Sequence, residues 1–542
     1  MFWTKRYNLM RCGSMVMAMA CMLSACSCSE KQEGDPDSGA GDIAGGTEIE
    51  IMADRTSVIK NPMTGWVMYV SADADPSYFD TEFYVSDLGK TVKVRDYASC
   101  FYVRTGWKNF NPEPGKYFWQ DQNSKLYKLY KRGRELGLPM AFRVVIDGRD
   151  QGENTPEWVY GKGADFWLEN PDLPTRKTPL VTDPVWREWY ERFIEDFAAE
   201  FNDPEKLAFI DGYGLGKWGE GHNVCYEQDN AVTDKTPEYK AETMEWVTGL
   251  YSRCFTKVPL VINYHRHIGA PASEGEKADE DSEALLQIAI DNGYCLRSDA
   301  FGMLNKSWGY NDWDRRFAKT WNYKLPIILE GGYVLTNEGH HSSMKEDGYD
   351  TPTEVRKGEF DEGKVALVNM MDFRVGDETR SWFEDAFTYV QEFVKNGGYR
   401  FYPDNVTVRK SVSSGEEISV SSNWVNMGWA FCPVNLPQWN YKYKLAYALL
   451  DPETEKPLYE FVDEKADLSK WLNKAATKCS MDIVLDGVPA GTYLWAVGLV
   501  DITRETSDGM HEIGLNLSAT KDFLTDDGWC KVTEVTVGEA EL

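Results

Sequence analysis

From about residue 51, apolar runs of four to nine residues alternate with longer stretches of helical periodicity. Parallel strands buried on both faces read as such continuous apolar runs, and the alternation predicts a parallel α/β fold. The predicted strands are Gly65–Val70, Ser99–Thr105, Pro139–Asp147, Leu207–Ile210, Pro259–Tyr264, Tyr294–Phe301, Pro326–Gly332 and Val365–Met370. Between them, Ser124–Leu136 reads as a helix with Leu126, Leu129 and Leu136 on one face and Gly137 ending it. Asp183-Pro184 opens a helix to Phe201, with Trp186, Tyr190, Phe193 and Phe197 at core-facing spacing. Further helices are expected over Glu238–Phe255, Ser282–Asp291, Trp313–Trp321 and Ser381–Lys395. Eight strand–helix units imply a (β/α)₈ TIM barrel over 51–400, whose chemistry belongs at the C-terminal ends of the strands.

After about Phe401 the period changes. Glu417–Trp424, Tyr441–Leu450, Met481–Leu485, Thr492–Val500 and Lys531–Val537 alternate or run apolar, with turns such as Asp451-Pro452 and Asp486-Gly487 between them. This predicts a C-terminal antiparallel β-sandwich over 401–542. Trp424, Trp429 and Trp439 fall here and read as core or interface packing.

The N-terminus reads differently. Lys5, Arg6 and Arg11 precede a short apolar run, Met15–Leu23, and then Leu23-Ser24-Ala25-Cys26. That is a signal peptide, 1–26, too short to span a membrane. Its end resembles a bacterial lipobox, which implies lipidation at Cys26 and a membrane contact through that anchor alone; plain secretion is the alternative. Residues 27–50, rich in Gly, Ser, Asp and Glu, read as a flexible tether.

Composition narrows the partners. A net charge of −29 argues against nucleic acid, whose binders need basic patches. The 20 Trp and 29 Tyr suit sugar stacking, although most such rings are core. Of the 11 cysteines, the seven from Cys100 onward are scattered and show no CxxC zinc spacing. His265-x-His267 and His340-His341 are pairs without the HExxH spacing of a metalloenzyme, so no metal and no cofactor is expected. There is no GxSxG elbow, and Gly212-x-Gly214-x-Gly216 lacks the helix a dinucleotide site requires.

Two strand ends carry the candidate chemistry. Leu207–Asn223 runs from an apolar strand through Gly212, Gly214 and Gly216 to Trp218-Gly219-Glu220-Gly221-His222, and Leu325–Gly332 presents Glu330. Two carboxyl groups across a barrel mouth are what glycosidic cleavage needs, one to donate a proton and one to attack the anomeric carbon or activate water. Asp211 is a lesser candidate on the same strand as Glu220. Trp66, Arg104, Trp107, Arg143, Asp147, Trp218, His222, Asn263, His265 and Asp299 lie at or near strand ends and are candidate sugar contacts.

Trp107-x-x-Phe110-x-Pro112-x-x-Gly115-x-Tyr117-x-Trp119 resembles a segment of β-galactosidase-like barrels. Asn61-Pro62-x-x-Gly65-Trp66 resembles the entry of related bacterial barrel-plus-sandwich proteins. The placement of Glu220 and Glu330 after the fourth and seventh strands resembles clan A glycoside hydrolases. That resemblance implies Glu220 as acid/base, Glu330 as nucleophile, and retention of configuration. The chain departs from it at Gly219, where that clan has Asn. The departure motivates the competing expectation of a barrel that binds surface glycans without cutting them; a purely structural surface protein is a third.

Overall fold

In the computed structural model, residues 43–149, 152–226, 237–266, 268, 276–304 and 312–540 are described. The signal peptide, Cys26, most of the tether and His267 lie outside them.

Eight parallel strands close into a barrel. We number them β1 (Gly65–Tyr69), β2 (Ala98–Gly106), β3 (Met140–Val145), β4 (Leu207–Asp211), β5 (Leu260–Asn263), β6 (Tyr294–Phe301), β7 (Ile327–Gly331) and β8 (Met370–Asp372). Each pairs with its sequence neighbour, and β8 closes on β1 through Met370–Gly65 and Asp372–Val67. This is the expected (β/α)₈ architecture, with differences. The β1–β2 crossover holds short 3₁₀ turns and the hairpin Glu82–Val85/Lys90–Lys93, with no α-helix. The eighth strand is Met370–Asp372 and not Val365–Met370, because an unforeseen helix, Pro352–Val365, runs into that segment. A Thr351/Glu354 capping box and Pro352 in its first turn start that helix. The closing helix is two, Asp377–Glu384 and Phe387–Asn396.

Side chains alternate between the two faces of each strand. Trp66, Met68, Phe101, Val103, Phe142 and Ile210 face outward into the apolar layer shared with the helices. The inward positions start apolar at the N-terminal end, with Cys100, Ala141, Phe209, Val261, Cys295, Ile328 and Met370. Two residues further along they become Tyr102, Arg143, Asp211, Asn263, Arg297, Glu330 and Asp372. The barrel core is therefore apolar at one end and ionic at the end where active sites form.

The C-terminal part is two sheets, antiparallel except where Ser411–Ser413 pairs parallel to Cys530–Gly538. One contains Phe401–Val408, Glu417–Asn426 and Thr477–Val484; the other is built on Tyr443–Leu450, Gly491–Glu505 and Cys530–Gly538. Thr47–Glu50 adds to the first as an edge strand on Phe401–Val408. The tether expected through residue 50 therefore stops short of 47, and Ile51 to Asp54 also bond to this domain, through Asp404, Ser518 and Thr520. Trp424, Trp429 and Trp439 are buried. The segment around Trp429–Gln438 covers the N-terminal end of the barrel: Trp429 Nε1 donates to Val368 O at 2.9 Å, and Asn369 Nδ2 donates to Phe431 O at 2.9 Å. The opposite mouth is left to the βα loops. All seven cysteines from Cys100 to Cys530 are free thiols.

The Asn61–Trp66 motif is a junction. Asn61 exchanges two hydrogen bonds with Asn516 of the sandwich. Gly65 sits at φ 97°, where a Cβ would lie 2.3 Å from Ser99 Oγ, so only glycine fits.

Candidate active site

A cleft of about 560 Å³ opens at the C-terminal mouth. Of the sequence-expected residues, Arg104, Trp218, Glu220, His222, His265 and Asp299 line it. Lys217, Asn223, Asn337, His340 and Arg374 also line it and were not expected. They sit in loops with no periodic pattern. Their one shared signal, adjacency to a strand end, holds for only some of them.

The β4 loop is built on left-handed backbone. Gly214, Gly216, Gly219 and Gly221 have positive φ, and so do Trp218 (57°) and Asn223 (49°). Such a conformation costs a non-glycine residue about 1–2 kcal/mol. It turns Trp218, 37% exposed, out over the cleft. Gly219 now has a physical reason. At φ 75° its Cβ would lie 2.8 Å from Arg143 Cδ, so the Asn of the resembling enzymes has no room here.

Glu220 accepts from Arg143 Nη1 at 2.6 Å and Arg104 Nη1 at 2.8 Å, both on Oε1. His222 Nε2 stands 3.8 Å from Oε2. The Glu220 and Asp299 carboxyls are within hydrogen-bonding reach, so one proton between them satisfies both. Burial, then the charge of Asp299, holds Glu220 well above the usual carboxylate range, against Arg143 and Arg104. Burial also works to raise Asp299, but its hydrogen bond with Glu220 and the cations around it outweigh that and hold it low. Asn263 Nδ2 donates to Asp299 Oδ1 at 3.3 Å. His265 Nε2 lies 2.6 Å from the main-chain oxygen of Glu220, and burial with the charge of His222 brings its pKa down to about 3. A neutral imidazole in that position carries its proton on Nε2 and donates it to the carbonyl. It stacks on His222 with ring centroids 4.1 Å apart.

Glu330 is placed differently. It is fully buried and does not line the cleft. Arg297 pairs with its Oε2, and Arg374 Nη1 donates to its Oε1 at 2.6 Å. Burial works to raise its pKa, but the guanidiniums of Arg297, Arg374, Arg104 and Arg143 hold it below the ordinary value. Arg297 also approaches Asp372 at 3.5 Å and Asp211 at 3.4 Å. Burial, with the charge of Glu330, pushes Asp372 up to about 7. Asp211 points inward: Arg143 Nε donates to it at 2.7 Å and Tyr102 Oη at 3.2 Å. It supports Arg143 and does not reach the cleft.

Three expected sugar contacts are elsewhere. Trp66 is out of phase with the inward positions of β1 and stacks on Phe373 with centroids 4.2 Å apart. Trp107 is buried against Tyr190, Phe193 and Trp158. The Trp107–Trp119 motif is thus a packing element against the helix Pro184–Phe201. Asp147 is buried in a pair with Arg149 and accepts from Thr178 Oγ1 at 3.1 Å. Asn263 and Arg143 act one step back from the cleft, on Asp299 and Glu220. Among the described residues, no group of three or more His, Cys, Asp or Glu is arranged to hold a metal ion.

No family model matches the chain, and no curated protein matches it. Solved structures that resemble it include two xylanases and a β-amylase domain. Native xylanase 10B from Thermotoga maritima is 14% identical, covering 58% of this chain and 83% of its own, with a TM-score of 0.32. The catalytic domain of the β-amylase from Paenibacillus polymyxa is 10% identical, covering 60% and 97%, with a TM-score of 0.36. A GH30 endoxylanase from Clostridium papyrosolvens C71 is 9% identical, covering 80% and 96%, with a TM-score of 0.31. At these scores the likeness carries no functional argument. The class of the chain, a (β/α)₈ barrel with a β-sandwich, is read from its own strand pairing.

Proposed function

We propose that the chain is an exported glycoside hydrolase that cleaves a β-glycosidic bond in an oligosaccharide, with Glu220 as general acid and Glu330 as the nucleophile of a retaining mechanism. One observation carries the reading. Two carboxyls, one in the loop after β4 and one at the end of β7, both under the field of Arg104 and Arg143, have their pKa values pushed apart, Glu220 upward and Glu330 downward. That division is what acid and nucleophile require at one pH. Glu220 would protonate the leaving oxygen, with Asp299 holding the proton on it beforehand. Glu330 would attack the anomeric carbon, after Arg374 releases its Oε1. Water would then hydrolyse the glycosyl–enzyme ester with Glu220 as base. Trp218 supplies an exposed ring for a sugar face. The lipobox at Cys26 supports an anchor on a bacterial membrane.

A second reading has its own observation. Glu330 is closed off from the cleft with both oxygens engaged, which favours a barrel that holds glycans without cutting them. A panel of aryl β-glycosides and plant oligosaccharides, assayed with wild type, Glu220→Gln and Glu330→Gln, separates the two. The hydrolase reading expects turnover in wild type and its loss in both variants. Glycan binding by wild type with no turnover on any substrate supports the second reading. Turnover that survives Glu330→Gln removes that residue from the mechanism.

A further inference from the structure

The chain carries a net charge of −29, yet two arginines stand side by side at its cleft. Arg104 projects from β2 and Arg374 follows β8. Because β8, β1 and β2 are neighbours, the two flank Tyr69 at the end of β1. They are close enough to repel each other. Each commits only one terminal nitrogen. Arg104 Nη1 serves Glu220, and Arg374 Nη1 serves Glu330 and the main-chain oxygen of Gly331 at 2.8 Å. Their other N–H groups have no hydrogen-bond partner among the described residues, and Arg374 Nε is buried in that state. Arg374 is also held in place. Its backbone sits at φ 57°, fixed by a 2.6 Å bond from its N–H to Asp372 Oδ1. Of the carboxyls that line the cleft, Glu220, which Arg104 bonds, comes from the loop after β4, Asp299 from β6, and Asp314 from the helix after β6.

A neutral sugar hydroxyl needs one donor. Two adjacent guanidinium forks with donors to spare match a planar or tetrahedral anion, and an anion between them also relieves their mutual repulsion. We infer that the cleft takes a glycan bearing a fixed negative charge, a uronate carboxylate or a sulfate ester, seated between Arg104 and Arg374. The inference rests on the carbohydrate reading of the cleft and specifies its substrate class.

The test is calorimetric titration of the full chain with D-galacturonate, D-glucuronate, glucose 6-sulfate, galactose and glucose at low salt. At least one acidic sugar should bind about tenfold or more tighter than its neutral counterpart, a gap that narrows at high salt. The uronate and sulfate arms identify which anion is preferred. Arg374→Lys keeps the charge but loses the fork, and should shrink the acidic-to-neutral ratio; Arg374→Met should bring it toward one. Equal affinities in wild type overturn the inference without needing any variant, as does a ratio untouched by a folded Arg374→Met. Turnover of neutral aryl glycosides with no preference for acidic ones would overturn it and leave the hydrolase intact. Acidic-sugar binding with no turnover anywhere would leave it standing and remove the hydrolase.

Discussion

Arg143 is where the barrel core and the cleft meet, and its removal has a calculable consequence. The side chain is fully buried. It donates Nε to Asp211 Oδ2 at 2.7 Å, with Nη2 2.5 Å from the same oxygen as an ion-pair contact, and Nη1 to Glu220 at 2.6 Å. Arg143→Met preserves most of the aliphatic bulk and deletes the charge. Deleting one partner of a buried ion pair costs about 3–5 kcal/mol, because the other charge stays desolvated and unpaired. Asp211 keeps Tyr102 and, at 3.4 Å, Arg297, which argues for the lower half of that range. Glu220 contributes less, since burial and the charge of Asp299 already hold its pKa up, and it loses a hydrogen bond worth about 1–2 kcal/mol. The expected destabilisation is about 3–4 kcal/mol. Urea unfolding followed by circular dichroism measures it. Arg143→Met/Asp211→Asn removes both charges, so it should cost less than the sum of the singles by about 2 kcal/mol. A single substitution costing under about 1 kcal/mol, or strict additivity in the double, would refute the claim that this pair is a buried, mutually dependent unit.

Other expectations test neighbouring parts. Gly219→Asn, which restores the residue of the resembling enzymes, should lower stability by about 1–3 kcal/mol in the same unfolding assay, because it meets Arg143 and a left-handed backbone. It should reduce, not improve, any turnover. Asp372→Asn tests the raised carboxyl. A folded pKa near 7 against 3.8 unfolded stabilises the protein below about pH 4, and that contribution is lost as pH rises through 7. Wild type should therefore lose up to about 4 kcal/mol relative to the variant between those limits, as an upper bound since Glu330 titrates with it. A difference in thermal midpoint that stays flat from pH 4 to 8 would contradict this. Asp299→Asn removes the charge that raises Glu220, so the alkaline limb of any pH–rate profile should move to lower pH; an unmoved limb would separate the two residues. Removing residues up to 50 strips the edge strand from Phe401–Val408, and should lower the unfolding free energy by a few kcal/mol at about 1 kcal/mol per lost hydrogen bond.

Much of the barrel was legible because a parallel strand buried on both faces writes itself as an unbroken apolar run. The eighth strand was misplaced because the apolar Ala366-Leu367-Val368 imitates one, while the real strand is three residues long. The helix Pro352–Val365 was missed because its apolar face is sparse, with Arg356 and Glu359 buried as an ion pair in place of aliphatic residues. Residues of the site were legible where strand parity was respected. Arg143, Asn263, Asp299 and Glu330 stand two or four residues beyond apolar inward positions; Arg297 stands there too but was not singled out. Trp66 and Trp107 were assigned to the cleft from residue type, but Trp66 is one residue out of register with Val67, and Trp107 opens a short helix that turns it into the aromatic layer. Arg374 had no such signal. It follows its strand by two residues on a left-handed backbone that only the fold makes visible.

The central claim is that at neutral pH Glu220 carries a proton while Glu330 carries a charge. Difference infrared spectroscopy of wild type against Glu220→Gln and against Glu330→Gln reads this from the protonated carboxyl C=O stretch. The account predicts that near neutral pH Glu220→Gln loses a protonated C=O band distinct from that of Asp372, which itself titrates near 7, and that Glu330→Gln instead removes a carboxylate band. A Glu220 that is ionised at neutral pH, or a protonated band belonging to Glu330, would contradict it.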